Sequence, residues 1–317
     1  MDIASLPKCL LLPLDGSDET LLPIHFVRRL YPRLDRINLI LAYFKPPLPP
    51  IHKQRSTSQQ MAAKKKEAIH AREEESRAAL ERAKSFLIES GFSPEFIHEH
   101  VQEKAMSAAH HTCQLADIKK VDAVLVQKRV SSPLEGFLRD DPRDALLHHC
   151  IVSPIWFTAG DIDPSRAIVC LQGEDASLRA VDHAAFMLAD TETRIELVHV
   201  SDSVGQPITS PVDEHSGALR QWFQTEAGRD MRRFIEEACG ILKDAGIAAT
   251  RTRIGILPGS TKEGKVALRV LSHARKEGIG IVVLGHSSPE GVWSFLKTSV
   301  TKKILDEFQN MAVWVNQ

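Results

Sequence analysis

The residues able to do chemistry in this sequence are glycines, hydroxyls and carboxylates that close short apolar runs, together with many histidines. Asp15-Gly16-Ser17-Asp18 closes one run and Gln172-Gly173-Glu174-Asp175 closes another. Gly285-His286-Ser287-Ser288-Pro289-Glu290-Gly291 closes a third, and Thr298-Ser299-Val300 opens the segment beyond it. Glycine and hydroxyl residues ahead of a helix offer backbone N–H groups to a phosphate, and the helix dipole adds to the attraction. The 14 histidines include His98-Glu99-His100, His110-His111 and His148-His149. His98 and His100 share one face of an extended segment, but a metal site needs a third and fourth ligand, and the sequence names none. His199 and His286 fall near the ends of apolar runs, where core or loop histidines are the expectation. Gly-x-Ser-x-Gly does not occur, which argues against a hydrolase nucleophile elbow. A full Walker A loop is absent too. The five cysteines, Cys9, Cys113, Cys150, Cys170 and Cys239, form no CxxC pair. They are expected to be buried structural thiols in a reducing compartment.

The elements that must position these residues repeat. Leu10–Gly16 answers to Ile168–Gly173, Ile37–Ala42 to Ile195–Val200, and Val121–Val126 to Ile279–Leu284. Phe137-Leu138 matches Phe295-Leu296, and Pro154–Phe157 answers to Ala312–Val315. The offset stays at 157 to 158 residues, which implies duplication of one domain with its seam near 159–164. Short apolar runs bounded by Gly, Pro or Asp read as buried parallel strands. Helices are expected over 20–30, 61–90, 105–118 and 141–149, and again over 219–245, 265–276 and 298–308. Each half therefore reads as alternating strands and helices, the pattern of a parallel sheet covered on both faces. The stretches 45–60, with its four prolines, and 202–217 read as loops. Lys64–Lys66 and Glu73–Glu75 are expected to be the solvated face of a helix. In such a sheet ligands bind beyond the C-terminal strand ends, which is where the residues named above fall.

Composition bounds the rest. The chain has 317 residues, 43% hydrophobic and 26% charged, with Lys plus Arg 40 against Asp plus Glu 41. That suits two folded domains. The charge balance does not favour nucleic acid as a partner. No run of about 18 apolar residues calls for a membrane span. The first residues lack a basic n-region ahead of an apolar core, so no secretory signal is expected.

Taken together, these segments resemble a tandem universal stress protein, two UspA-type domains in one chain. The resemblance rests on the apolar strand ending in Asp15-Gly16-Ser17 and on Val282-Val283-Leu284-Gly285 followed by Gly291 and Thr298-Ser299-Val300. It also rests on the closing apolar strand of each half, and it covers nearly the whole chain. It implies two Rossmann-like α/β domains, 1–160 and 161–317, each a five-stranded parallel sheet of order 3-2-1-4-5. Some family members bind ATP through Gly-x2-Gly-x9-Gly-(Ser/Thr), with an Asp at the end of strand 1 near the adenosine. In the second half that spacing falls on Gly285, Ser288, Thr298 and Ser299, and the strand-1 position is Gln172, followed by Gly173. In the first half the Asp survives as Asp15, but the loop positions are Gln127, Val130, Asp140 and Asp141. Two carboxylates at a helix start repel phosphate and serve better as caps ahead of Pro142. The resemblance thus implies a non-enzymatic, cytoplasmic stress-response regulator or scaffold with degenerate nucleotide sites. Its alternative is an ATP- or AMP-binding switch, hydrolysing ATP slowly if at all, that uses the second domain. It further implies an internal pseudo-dimer joined through the runs at 153–157 and 311–315, homodimerisation, and neither nucleic-acid nor membrane partners.

Overall fold

The computed structural model describes residues 5–48, 59–128, 142–150, 152–286 and 300–316. The chain falls into two compact units. The smaller comprises Pro7–His25 and Arg33–Ser153, and the larger is built mainly from Phe26–Pro32 and Pro154–Gln317.

In the smaller unit β1 (Lys8–Leu14), β2 (Ile37–Lys45), β3 (Ile97–Glu103) and β4 (Ala123–Gln127) lie in the order β3-β2-β1-β4, all parallel. Leu10, Leu11, Leu39, Leu41, Val124 and Leu125 are fully buried. These near-continuous apolar runs are what a sheet covered on both faces demands. Among the described residues the first half of the sequence contributes the helices α1 (Pro23–Leu30), α2 (Gln59–Glu89), α3 (Ala108–Lys119) and α4 (Pro142–His149). The 31-residue α2 buries Ser76, Ala79, Leu80, Ala83 and Leu87, a stripe confined to its second half. Its exposed face carries the pairs His70–Glu74, Arg77–Glu74 and Arg77–Glu81. The solvated-face reading of the charged run therefore holds there. Ser107 caps α3 by accepting from the His110 backbone N–H.

One cysteine expectation is overturned. Cys113 on α3 and Cys150 after α4 form a disulfide, with Cα atoms 4.8 Å apart. No spacing rule signals it, because 37 residues separate the partners. It arises because α3 and α4 pack side by side. Cys9, Cys170 and Cys239 are free thiols, and burial pushes Cys170 up to about 12.

The larger unit contains β5 (Ile155–Ala159), β6 (Arg166–Cys170), β7 (Arg194–Ser201), β8 (Ile208–Pro211), β9 (Thr252–Pro258), β10 (Ile281–Gly285) and β11 (Met311–Asn316). Their order is β5-β11-β10-β6-β7-β9-β8. The five strands β6, β7, β9, β10 and β11 are mutually parallel where they pair. Counted along this half they run third, second, first, fourth, fifth. Antiparallel strands flank them: β5 on β11 and β8 on β9. The five parallel strands of this half keep the expected order 3-2-1-4-5. Every residue of β5 and β11 is buried, so pairing removes an apolar edge that would otherwise recruit other chains. β8 falls where the sequence reads as a loop.

The helices of this half are α5 (Asp175–Leu188), α6 (Gly217–Trp222), α7 (Glu226–Asp244), α8 (Glu263–Glu277) and α9 (Val300–Glu307). The helix expected over 219–245 is broken in two. Thr225 accepts from the Gly228 N–H at 3.1 Å and starts α7 afresh. At the centre of the β5–β11 pair, Trp156 and Trp314 are register partners. Their rings stack at 3.8 Å and 1°, with Phe26 edge-on to both. Trp156 Nε1 donates to His183 Nε2 at 3.0 Å. Burial holds His183 neutral, with its pKa lowered to about 3.

Candidate functional site

The C-terminal ends of β6, β7 and β10 form the edge where the sequence places its candidates. β6 runs out at Cys170, and the turn Leu171–Asp175 leads into α5. Gly173 adopts φ +74, a left-handed conformation that favours glycine. A Cβ there would also meet Met231 Sδ at 3.0 Å. Gln172 beside it is exposed. Leu171 donates to the Val198 carbonyl at 2.8 Å. Its own carbonyl accepts from His199 Nδ1 at 3.0 Å, which fixes the His199 proton on that nitrogen. Burial lowers the His199 pKa, and the bond to Leu171 opposes the shift only in part.

Next to His199 the edge is covered rather than open. Trp222 of α6 is buried, with its ring 5.9 Å from that of His199. Its Nε1 donates to Ser203 Oγ at 2.9 Å, and Ser203 Oγ lies 2.7 Å from Ser201 Oγ. This cover of Trp222, Ser201 and Ser203 is not among the sequence candidates. It depends on the break between α6 and α7, which carries no periodic signal.

Gly285 ends β10. A Cβ at that position would collide with the backbone of Ala176 and Ser177, in the first turn of α5. The glycine therefore permits a close approach of helix to strand, whatever else the loop beyond it does. His286 follows, half-buried, and its N–H donates to the Asn316 carbonyl at 2.7 Å. Burial lowers its pKa. Gly285, Gln172 and Gly173 thus share one edge around the start of α5. Ser288, Thr298 and Ser299 lie outside the described residues.

In the smaller unit Asp15 occupies the end of β1. Its Oδ1 accepts from the Ser17 N–H at 2.9 Å and the Ser17 hydroxyl at 2.7 Å, closing a turn on itself. Gly16, at φ +89, presents a carbonyl that accepts from Arg82 Nη2 of α2 at 2.9 Å. Tyr43 at the end of β2 has its pKa raised by burial and by Glu75. Gln127 ends β4. Val130, Asp140 and Asp141 lie outside the described residues. Among the described residues no group of three or more His, Cys, Asp and Glu is placed to hold a metal. His98 and His100 contact Asn38 and Gln102 instead.

A second polar feature also escapes the sequence reading. Glu196, in the middle of the apolar strand β7, is 2% exposed. Its Oε2 accepts from Arg253 at 2.7 Å and lies 3.1 Å from His273 Nε2. Burial alone would raise its pKa, but the bonds to His273 and Arg253 more than offset this and lower it. A glutamate inside an apolar strand is the signal that finds this triad.

The larger unit is, on this architecture, a Rossmann-like α/β domain with its candidate residues at the C-terminal strand edge. Residues 165–315 match the family model of the universal stress proteins. The whole chain is similar in fold to a universal stress protein from Archaeoglobus fulgidus DSM 4304, at TM-score 0.63 and 12% identity, covering 98% of this chain and 97% of that one. It is also similar to a functionally unknown protein from Pseudomonas aeruginosa PAO1, at TM-score 0.55 and 14% identity, covering 99% and 93%. Among curated proteins, none matches the chain in sequence. Among the described residues no helix is long and apolar enough to cross a membrane.

Proposed function

We propose that this chain is a non-enzymatic, cytoplasmic stress-response regulator or scaffold. In this reading both halves are UspA-type domains that act as an internal pseudo-dimer, and their nucleotide sites are degenerate. The observation that carries it is the end of β6. Where a carboxylate would accept hydrogen bonds from an adenosine, Gln172 stands exposed, and the neighbouring Leu171 carbonyl is already engaged by His199. In the first half Asp15 is present, but its carboxylate closes the turn to Ser17.

The second reading is an ATP- or AMP-binding switch in the second domain. It is favoured by the start of α5, where Glu174 gives no side-chain cap. Mass spectrometry of small molecules released from freshly purified, denatured protein separates the two. Nucleotide near one equivalent supports the switch, and its absence supports the regulator. Calorimetry with ATP sharpens the result. Gln172→Asp should tighten binding by about 10- to 150-fold, the worth of one charged hydrogen bond. Thr298→Ala with Ser299→Ala should weaken it. If neither change moves a measurable affinity, the hydroxyls are helix caps and the switch reading falls.

A further inference from the structure

At the opposite edge of the larger unit's sheet, where β6, β7 and β9 begin, lies a cavity of about 200 Å3. Arg166, Arg194, Arg251 and Arg253 line it, with Glu196 and Thr252. Arg166 and Arg194 are register partners on β6 and β7, and like charges in direct cross-strand pairs repel. The hydrogen bonds of this group explain how the guanidiniums are held, but they do not neutralise the charge. Arg166 donates to the carbonyl of Glu277, the last residue of α8, at 2.8 Å. Arg251 donates to the Leu188 carbonyl, at the end of α5, and to that of Thr193. Both arginines thereby cover helix C-termini, whose partial negative charge would otherwise oppose an incoming anion. Arg253 alone meets a carboxylate at hydrogen-bond distance, Glu196, which also lies against His273. The Glu277 carboxylate is 3.9 Å from Arg253, and Glu192 acts on Arg251 by charge. The exposed Arg194 side chain makes no hydrogen bond or ion pair among the described residues, although its backbone N–H bonds the Ser165 carbonyl.

The cavity wall therefore carries four formal positive charges against one negative. We propose that this cavity binds a compact phosphate-type dianion, free or as the terminal group of a small molecule. Arg194 closes on the anion as a bidentate fork. The volume admits such a group with a few waters, at about 30 Å3 of liquid per water. The site lies at the strand starts, away from the edge that carries Gln172 and Gly285, and stands independently of the nucleotide reading.

The test is calorimetry on the full chain with inorganic phosphate and, separately, glycerol phosphate, at ionic strength held constant with chloride. Saturable binding of at least one is expected. R194A should weaken it by about 10- to 150-fold without lowering the melting temperature of the unliganded protein. R194K should fall between the two, because lysine keeps the charge and loses the fork. Binding of inorganic phosphate assigns the free anion; binding of glycerol phosphate alone assigns a terminal group. If neither binds, or if binding survives R194A, the anion has no site in this cavity and the proposal is wrong.

Discussion

The seam between α3 and α4 in the smaller unit is closed by the Cys113–Cys150 disulfide. At an offset of 158 residues the larger unit carries Leu271 and Phe308 instead, both fully buried. The same offset relates the exposed His25, edge-on to Phe86, to His183, sealed against Trp156. It also relates Gln127 at the end of β4 to Gly285 at the end of β10. Positions related by the sequence repeat are therefore served by different physics. The smaller unit relies on a covalent staple and surface charge, and the larger on apolar burial with neutral polar groups inside. Stress on each should be felt through different variables.

The largest contrast is in acid. His183 is buried neutral with its pKa near 3, against about 6.5 in an unfolded chain. A base depressed in this way stabilises the fold above pH 6.5. The contribution is lost as pH falls from there toward 3, about 5 kcal/mol in all. Urea midpoints of the larger unit, followed by tryptophan fluorescence between pH 7 and 4, should drop more steeply in the native chain than in H183Q. Equal slopes in the two proteins would break the comparison.

Reductant should act on the other unit. A disulfide closing a loop of 37 residues contributes roughly 3–4 kcal/mol through the unfolded chain. Reduction, or C113A, should lower the unfolding midpoint of the smaller unit and leave that of the larger in place. Disulfides are rare in reducing compartments. The proposed cytoplasmic setting would therefore leave the smaller unit less stable than the same protein purified in air.

The edge glycine gives a smaller effect. Gly285→Ala places a methyl against the Ala176 backbone and should cost about 1–3 kcal/mol, read as a lower melting temperature without any ligand. Gln127→Ala, its counterpart, should cost less than about 0.5 kcal/mol. If Gly285→Ala is silent in the absence of ligand, its glycine serves the loop beyond it and not the helix. Smallest of all, Asp15→Ala should remove the turn to Ser17 for about 0.5–1.5 kcal/mol, measured by chemical denaturation.

The fold was legible because strands such as Leu10–Leu14, Ile195–Val200 and Ile281–Leu284 are continuous apolar runs that recur at one spacing. What periodicity cannot see is where helices meet or break. The Cys113–Cys150 link depends on two helices lying side by side. The α6–α7 break depends on Thr225 bonding Gly228, and β8 is four residues, Ile208–Pro211, with no apolar alternation of its own. The candidate site was legible by position and less so by content. Gly285, Gln172 and Gly173 do share one edge, but the cover supplied by His199, Trp222 and Ser203 comes from segments far apart in sequence. The arginines at 166, 194, 251 and 253 were invisible as a group, since each looks like an ordinary charged residue at the start of a strand.

The paired indoles of Trp156 and Trp314 have an optical consequence. Two identical chromophores 3.8 Å apart with parallel ring planes do not absorb independently. Their excited states mix, and a skew between the two in-plane transition dipoles turns that mixing into a paired positive and negative band in the ultraviolet circular dichroism. The signal requires β5 to be seated on β11 in the register Trp156 opposite Trp314, and either tryptophan replaced by phenylalanine should abolish it. The protein thus carries a built-in spectroscopic ruler for that one strand pairing, readable in dilute solution without a label.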